Sequence, residues 1–531
     1  MRKYQVLFSM CLISSILVSS LVLISNNVLA SEIWQHTYGG INDDRAYSVI
    51  QITDEGYALA GFTMSYGAGL QDFYLIKTDE NGNLIWNKTY GGAGADTAKS
   101  VIQTSEGGYA LVGDTTSFGN LSSEFLSYDF WLVKTDNNGN MLWNKTYGYR
   151  LSFENGTEYS GSMANSLVQT NDGGYALAGR TYGIGAGFSD FYLVKTDENG
   201  NILWNQTYGG AENDNPLSMI QTSDGGFALA GYTESFGAGS EDFWLVKTDS
   251  LGNMEWNKTY GGSGFDEASS LLQTIDGGYI LIGSSTSVEN GSIWMVKTDE
   301  NGNVEWNKQP SPSYIQLLSP TSVAETSDGG FAISGDFWVI KTDVNGDILF
   351  YQSYEPQIEW FSAANCLIQA SNGDYVLAGY RTSIEGDTTP DVLLVKTDSE
   401  IPIIWNVTRT PSSPIENSTY TNLIKANVYD ESGIKEVTLS YSVDSGSWSN
   451  LTMTKAEGNI YSAEIQAYPK DTNVFWTIIA ENNVGKSSRI DNEFYNVIPE
   501  FPLLTIPVVV IPIVFVLSII YRRKFILERK K

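Results

Sequence analysis

The tripeptide Lys-Thr-Asp begins at Lys77, Lys134, Lys195, Lys247, Lys297, Lys341 and Lys396, and nine residues after each Lys stands an aromatic: Trp86, Trp143, Trp204, Trp256, Trp306, Phe350 and Trp405. Loop lengths between the copies vary, but this interval does not. A constant interval in variable surroundings marks a rigid local unit. Asp-x-Asn-Gly lies near its centre, and Asn and Gly accept φ > 0 at little steric cost, so the unit reads as a β-hairpin. Repeats of this kind set the fold and are counted before domains are.

The first full copy divides into four short apolar-alternating runs: Ala46 to Ile52, Tyr57 to Phe62, Asp72 to Lys77 and Leu84 to Tyr90. The second copy repeats them at Ala98 to Gln103, Tyr109 to Gly113, Asp129 to Lys134 and Met141 to Tyr147. Four short antiparallel strands per ~50 residues indicate a β-propeller blade. Seven such units fit between about residues 39 and 407. The sixth is the shortest, with Gly335-Asp-Phe-Trp338 leaving little room for a loop.

One Trp is left over. Trp34-Gln-His-Thr-Tyr-Gly-Gly40 matches Trp86-Asn-Lys-Thr-Tyr-Gly-Gly92, yet no hairpin precedes it. A circular array explains this: the N-terminal strand completes the last unit and closes the ring. Trp405 then lies on the exit into the next domain, or competes for the same place. A linear solenoid would need polar caps at both ends, and the sequence offers none.

Composition agrees. The chain has 531 residues, 52 of them Gly, and 13% aromatics, which suits short strands and many tight turns. Its formal charge is −30, and residues 31–500 hold 60 acidic against 23 basic residues, or −37. Such a surface repels nucleic acid and anionic headgroups. His36 is the only histidine, which disfavours His-ligated zinc and Ser-His-Asp catalysis. Of two Cys, Cys11 lies in the N-terminal apolar run, so a mature chain keeps only Cys366 and no internal disulfide.

Residues 1–30 read as a signal peptide: Arg2 and Lys3, an apolar stretch from Val6 to Ile24, and Val28-Leu-Ala30 before Ser31. A retained N-terminal anchor is the alternative. Residues 31–400 form the propeller. Repeats then stop, and residues 401–498 carry alternating runs at Leu423 to Tyr429, Glu436 to Val443, Ile460 to Ile465 and Val474 to Ala480. These predict a sandwich of immunoglobulin or fibronectin III type, acting as a stalk. In residues 499–531, Leu503 to Tyr521 has no charge and precedes Arg522, Arg523 and Lys524. That predicts a membrane-spanning helix with a cytoplasmic tail and everything before it outside.

Three resemblances follow from these residues. The Asp…Gly…Trp pattern resembles the tryptophan-docking repeat of quinoprotein-type propellers, in which Trp packs against the neighbouring blade; here the Asp-to-Gly interval is one residue shorter, and without a vicinal Cys pair no quinone cofactor is expected. The whole unit, across residues 34–398, resembles the Trp-x-Lys-Thr-Tyr-Gly-Gly repeats of secreted archaeal and bacterial proteins. Ile498-Pro-Glu-Phe-Pro502 with its apolar span and basic tail resembles the archaeal PEF-type C-terminal sorting signal, which implies an archaeal surface protein, either cleaved near this motif or anchored permanently.

Candidate site residues divide into three groups. Units two and three carry the longest loops, and there Phe125, Tyr128, Tyr149, Phe153 and Tyr159 are candidate binding aromatics. Asp44, Asp96, Asp214 and Asp266 precede first strands; they ring one mouth of the channel as a cation site or serve as solvated strand caps. Asp72, Asp129, Asp190, Asp242 and Asp391 open third strands and read as turn residues. Candidate N-glycosylation sites are Asn120, Asn155, Asn290, Asn417 and Asn450. The Asp-x-Asn-Gly turns at Asp79 and its copies superficially suggest calcium loops, but the downstream bidentate acid is missing. No metal or other cofactor is expected.

The predicted fold is all-β: a seven-bladed propeller, an Ig-like sandwich and one C-terminal transmembrane helix. The expected function is a membrane-anchored surface module whose propeller face recognises a glycan or another protein. Because its acids recur as framework residues do, no enzyme activity is expected. The alternative is an extracellular glycan-acting hydrolase or lyase, which would place one-off acids, Arg and Tyr together on one face.

Overall fold

A computed structural model describes residues 32–496, apart from 119–127, 149–150, 153–157, 160, 183, 289–291, 311–318, 354–361, 383–388, 398–402, 411–421, 431–432, 469–471 and the single positions 445, 457, 467 and 484. The chain divides into two compact units. The first holds the residues up to Trp405 with Val428–Ile434 and Asn482–Ser488, and the second holds Asn406–Asn427, Lys435–Glu481 and Arg489 onward.

The first unit is all-β and propeller-like. Among the described residues it contains seven four-stranded antiparallel sheets. Sheet one shows the plan: Asp44–Gln51, Tyr57–Thr63, Asp72–Thr78 and Leu84–Tyr90, each strand pairing with the next. Its second and third strands are almost wholly buried, whereas its fourth is largely exposed. A sheet buried on both faces needs continuous apolar runs, and Tyr-Ala-Leu-Ala-Gly-Phe-Thr supplies one. Sheet six makes its central hairpin in two residues, Asp336 and Phe337, both at positive φ, the backbone sense that matches strand twist in tight hairpins.

Sheet seven is completed from the other end of the chain. Glu32–Tyr38 pairs antiparallel with Pro390–Thr397, bringing His36 opposite Leu394. Seven apolar clusters each join two consecutive sheets, and one of them joins sheet seven, through Val376 and Leu394, to sheet one, through Val49 and Leu59. The row of sheets therefore closes on itself. First strands adjoin one another all the way round, so they form the inner wall about the axis. The strand that holds Trp405, Ile403–Thr410, does not compete for the closing place; it pairs with Asn422–Tyr429 in another sheet.

The repeat consensus is a list of joints between neighbouring sheets. Each Trp of a fourth strand covers the turn glycine of the following sheet: a Cβ on Gly82 would lie 2.6 Å from Trp34, and one on Gly139 2.9 Å from Trp86. Those glycines sit at φ of 75° and 74°, so a side chain is excluded twice, by backbone and by contact. The Trp also meets the next sheet's ring edge-on, as Trp86 does Tyr109 at 5.8 Å between centroids. On the inner side a Gln oxygen accepts the preceding sheet's turn amide, as Gln103 does from Thr53 at 3.0 Å and Gln51 does from Ser371 at 2.8 Å across the closure.

Two further four-stranded sheets lie outside the ring. One orders Ile403–Thr410, Asn422–Tyr429, Ile460–Ile465 and Thr454–Lys455; the other orders Ser449–Thr452, Ile434–Val443, Asn473–Asn482 and Ser487–Asn496. Asn422–Tyr429 alternates buried and more exposed positions, as a strand with one covered face does. Among the described residues no helix is long and apolar enough to cross a membrane; residues 1–30 and Leu503 to Tyr521 lie outside the described part.

Candidate functional site

The two rows of repeated aspartates belong to the framework. Asp44, Asp96, Asp214 and Asp266 are fully buried, so they are neither solvated caps nor an open cation ring. Asp96 shows why. It accepts from the Gly92 amide at 2.9 Å, from the Ser117 hydroxyl at 2.6 Å and from the Thr115 hydroxyl. Asp44 takes the Gly40 amide at 2.8 Å and the Ser65 hydroxyl at 2.7 Å; Asp214 and Asp266 repeat the pattern with Ser235 and Ser287. The third-strand acids complete the clamp. Gly91 lies between two carboxylates, and a Cβ there would stand 1.9 Å from Asp72 and 2.8 Å from Asp96. Only a glycine can therefore stand at position 91, and Gly148 is held the same way against Asp129.

Parity explains the displacement from the mouth. Successive strand residues point to opposite faces, so the residue after each buried Asp faces the other way. These are Arg45, Thr97, Asn215 and Glu267, with Met163 after Ser162 in the same place of sheet three; all differ, and all but the buried Asn215 are half-buried. Each pairs across to an equally variable partner: Arg45 with Phe62, Thr97 with Asp114, Met163 with Arg180, Asn215 with Tyr232, Glu267 with Ser284, and Ala363 of sheet seven with Tyr380. On either side of this layer the repeat holds, with Ala46, Ala98, Ala164 and Ala268 in register.

A bulge follows in each of these first strands, skipping Tyr47, Lys99, Asn165, Leu217, Ser269 and Asn365. Bulges re-aim side chains and gather near functional sites. Three of the bulged residues join neighbouring sheets: Asn165 donates to the Pro216 carbonyl at 2.8 Å, Ser269 to that of Pro320 at 2.7 Å and Asn365 to that of Ala46 at 2.7 Å. Sheets one and two do otherwise. There the Lys99 ammonium lies 3.8 Å from the centroid of the Tyr47 ring.

The layer's electrostatics follow from burial. Asp114 is pushed up to about 7, chiefly by burial, against the pull of Lys99, of the Ala164 amide that it accepts at 2.8 Å, and of Arg180. Burial lowers Lys99, with Asp114 opposing and Arg45 and Arg180 adding to the shift. In sheets four and five, burial raises Glu241, with Glu267 and Glu234 contributing, and burial raises Glu267. Arg45 is held by Asp43 through two hydrogen bonds of 2.8 Å and lies 4.3 Å from the Tyr380 ring centroid. Perturbed groups that act on one another are a signature of function, and Asp114 and Lys99 are such a pair.

Of the predicted loop aromatics, Tyr128 is half-buried and bridges to Gly161. Tyr159 lies in a two-residue strand, Glu158–Tyr159, that pairs with Leu151–Ser152. Phe125, Tyr149 and Phe153 lie outside the described residues, as do Asn120, Asn155, Asn290 and Asn417. Asn450 is exposed and accepts from the Ser440 hydroxyl at 2.7 Å. The Asp79 turn spends its carboxylate on itself, accepting from the Asn81 and Asn83 amides at 2.9 and 2.8 Å and from the Asn83 side chain at 2.9 Å. Among the described residues no group of three His, Cys, Asp or Glu is placed to hold a metal. The axial layer was missed because its residues pass as ordinary strand positions. Aligning the seven copies and marking where they disagree is the signal that finds it.

No family model and no curated protein matches the chain. Solved structures that resemble it include Sqt1 from Chaetomium thermophilum, at 12% identity over 76% of this chain and 99% of that one with a TM-score of 0.38. A GH43 β-1,3-galactosidase is 10% identical over 75% of this chain and 90% of its own, with a TM-score of 0.30. Xylan β-1,4-xylosidase from Bacillus halodurans C-125 is 10% identical over 62% of this chain and 90% of its own, with a TM-score of 0.24. The expectation that the chain is not an enzyme, drawn from acids that recur, is corrected here: Asp114 and Glu267 are one-off acids, and the structures that resemble the chain at these low scores include glycoside hydrolases. The described chain is an all-β, propeller-like protein of repeated four-stranded sheets.

Proposed function

We propose that this chain acts on glycans at the axial layer, as a hydrolase that moves a proton through Asp114. The observation that carries the reading is the Asp114 carboxyl itself, a one-off acid raised to about 7 by burial between sheets two and three. General acid–base catalysis works best with a group whose pKa lies near the working pH. Glycoside hydrolysis needs a second carboxylate, and Glu267 or Glu241 fills that role. Tyr47, Tyr232 and Tyr380 offer ring faces on which a sugar stacks, and Arg45 supplies donors for hydroxyls.

The wider reading is a seven-bladed propeller closed by its N-terminal strand, followed by an Ig-like sandwich in residues 401–498. A signal peptide in residues 1–30 and a membrane span from Leu503 to Tyr521 would hold the propeller outside the cell, facing surface or environmental glycans. The PEF-like motif makes a sorting signal of that end.

The test is release of new reducing ends from a panel of oligosaccharides by the full chain, with Asp114→Asn and Glu267→Gln alongside. Turnover by the wild type that falls about a hundredfold or more in Asp114→Asn supports the assignment. Turnover unchanged by that substitution, or none on any sugar in the panel, removes it.

A further inference from the structure

We infer that the axial layer grips its ligand by an anionic group, a carboxylate or a sulfate borne on the sugar, seated between Lys99 and Arg180. The inference rests on the glycan reading above and names the class of sugar.

The lysine of each Lys-Thr-Asp is neutralised. Lys77 pairs with Asp54 at 2.7 Å, Lys134 with Glu106 at 2.7 Å, Lys195 with Asp172 at 2.9 Å and Lys341 with Asp328 at 2.8 Å. Lys99 and Arg180 break this habit. Among the described residues neither forms an ion pair. Lys99 is turned over the Tyr47 ring at 3.8 Å, and Arg180 donates to the Met163 sulfur at 3.0 Å. Both lie close enough to Asp114 to pull on its proton, yet Asp114 gives an oxygen to the Ala164 amide instead. One carboxyl, committed to a backbone amide and in no ion pair with either among the described residues, cannot cancel two cations. Partly buried charge without a counter-ion is costly, and an incoming anion removes that cost while gaining charge-assisted hydrogen bonds. The surplus is local, because the whole chain carries −30.

The acids of sheets four and five give the ligand a direction. Sheets four and five contribute Glu234, Glu241 and Glu267, and the last two are raised by burial. Carboxyls there accept from hydroxyls and repel a second anion. The ligand they fit is charged at one end and hydroxylated at the other.

Equilibrium binding to the full chain tests this with three probes of matched length: an oligogalacturonate, a sulfated galacto-oligosaccharide and a neutral galacto-oligosaccharide. One acidic sugar should bind about tenfold or more tighter than the neutral one, and Lys99→Gln and Arg180→Gln should each remove about that factor. Lys99→Arg should keep it, which separates charge from folding. The winning acidic probe tells carboxylate from sulfate. Equal binding of neutral and acidic sugars, or acidic binding untouched by both Gln variants, overturns the inference and leaves the glycan reading standing. If no sugar binds but inorganic sulfate does, in a manner lost with Lys99→Gln, the anion site stands and the glycan reading falls. If nothing binds, both fall.

Discussion

The hydroxyl of Tyr38 donates to the carbonyl of Gly82 at 2.6 Å, joining the strand that completes sheet seven to the turn of sheet one. The same joint recurs as Tyr90 to Gly139, Tyr147 to Gly200, Tyr208 to Gly252 and Tyr260 to Gly302, at 2.7 to 2.8 Å. Burial raises all five phenols, so they stay protonated donors. The Tyr and Trp of one strand thus hold one turn of the next sheet from two sides.

Replacing the turn glycine should therefore cost more than replacing the phenol. Tyr147→Phe removes one buried hydrogen bond and leaves the Gly200 carbonyl unpaired, a loss of about 1–2 kcal/mol. Gly200→Ala also strains a residue at φ of 74° and drives a methyl toward Trp143, whose ring lies 2.8 Å from the Cβ position; about 2–4 kcal/mol is expected. Urea unfolding of the two variants measures the order, and a reversed order would show that the hydroxyl, not the steric fit, sets the joint.

Loss of the closing strand should be felt more than loss of one packed ring. Trp34→Ala removes a half-buried side chain from the joint to sheet one and should cost about 2–3 kcal/mol with the ring still closed. Deleting residues 32–38 exposes the edge at Pro390–Thr397, and an unpaired edge recruits other chains. Size-exclusion chromatography should then show oligomers for the deletion alone. A monomeric deletion as stable as the wild type would sink the closure argument.

The repeated acids should matter for stability and not for ligands. Asp96→Ala leaves the Gly92 amide and the Thr115 and Ser117 hydroxyls without their acceptor, at a cost of about 2–4 kcal/mol. Whatever glycan the axial layer takes should bind the folded variant as before. Weakened binding at full occupancy of the fold would return these acids to the list of ligand residues.

Asp114 should give the fold a pH dependence of its own. Its folded value, about 7, lies above its ordinary value of 3.8. The folded state therefore holds the proton better, so the contribution is fully present below about pH 4 and is lost as pH rises through about 7. The groups that face it are Lys99, Arg180 and the Tyr47 ring. Wild-type stability should fall by about 1–3 kcal/mol between pH 5 and pH 8.5 relative to Asp114→Asn. Parallel curves for the two proteins would contradict the raised carboxyl.

Much of the framework was readable before any coordinates. The Lys-to-Trp interval marked the hairpin because both residues serve joints that repeat at one geometry, and the surplus Trp34 pointed to closure. The strand Asp72 to Lys77 was placed within one residue of its end. The role of Asp44 was not legible. Its spacing put it two residues before an inner strand that in fact begins at Asp44; spacing does not say which face a residue points to, and its partners Gly40 and Ser65 come from two different loops. The axial layer was hidden for a related reason. Arg45, Asp114 and Arg180 each occur once, and a pattern found by recurrence discards what does not recur.

Because the clamps, docked rings and Lys-Thr-Asp ion pairs are made by residues that repeat, the paired positions 45 and 62 and their counterparts are the ones the fold leaves free to differ from sheet to sheet. Each sheet offers one such pair to a shared centre, like one letter to a word. Changing the word requires exchanging single letters, so a new specificity is open to this scaffold by point substitution in one strand pair at a time, with the wheel itself left intact.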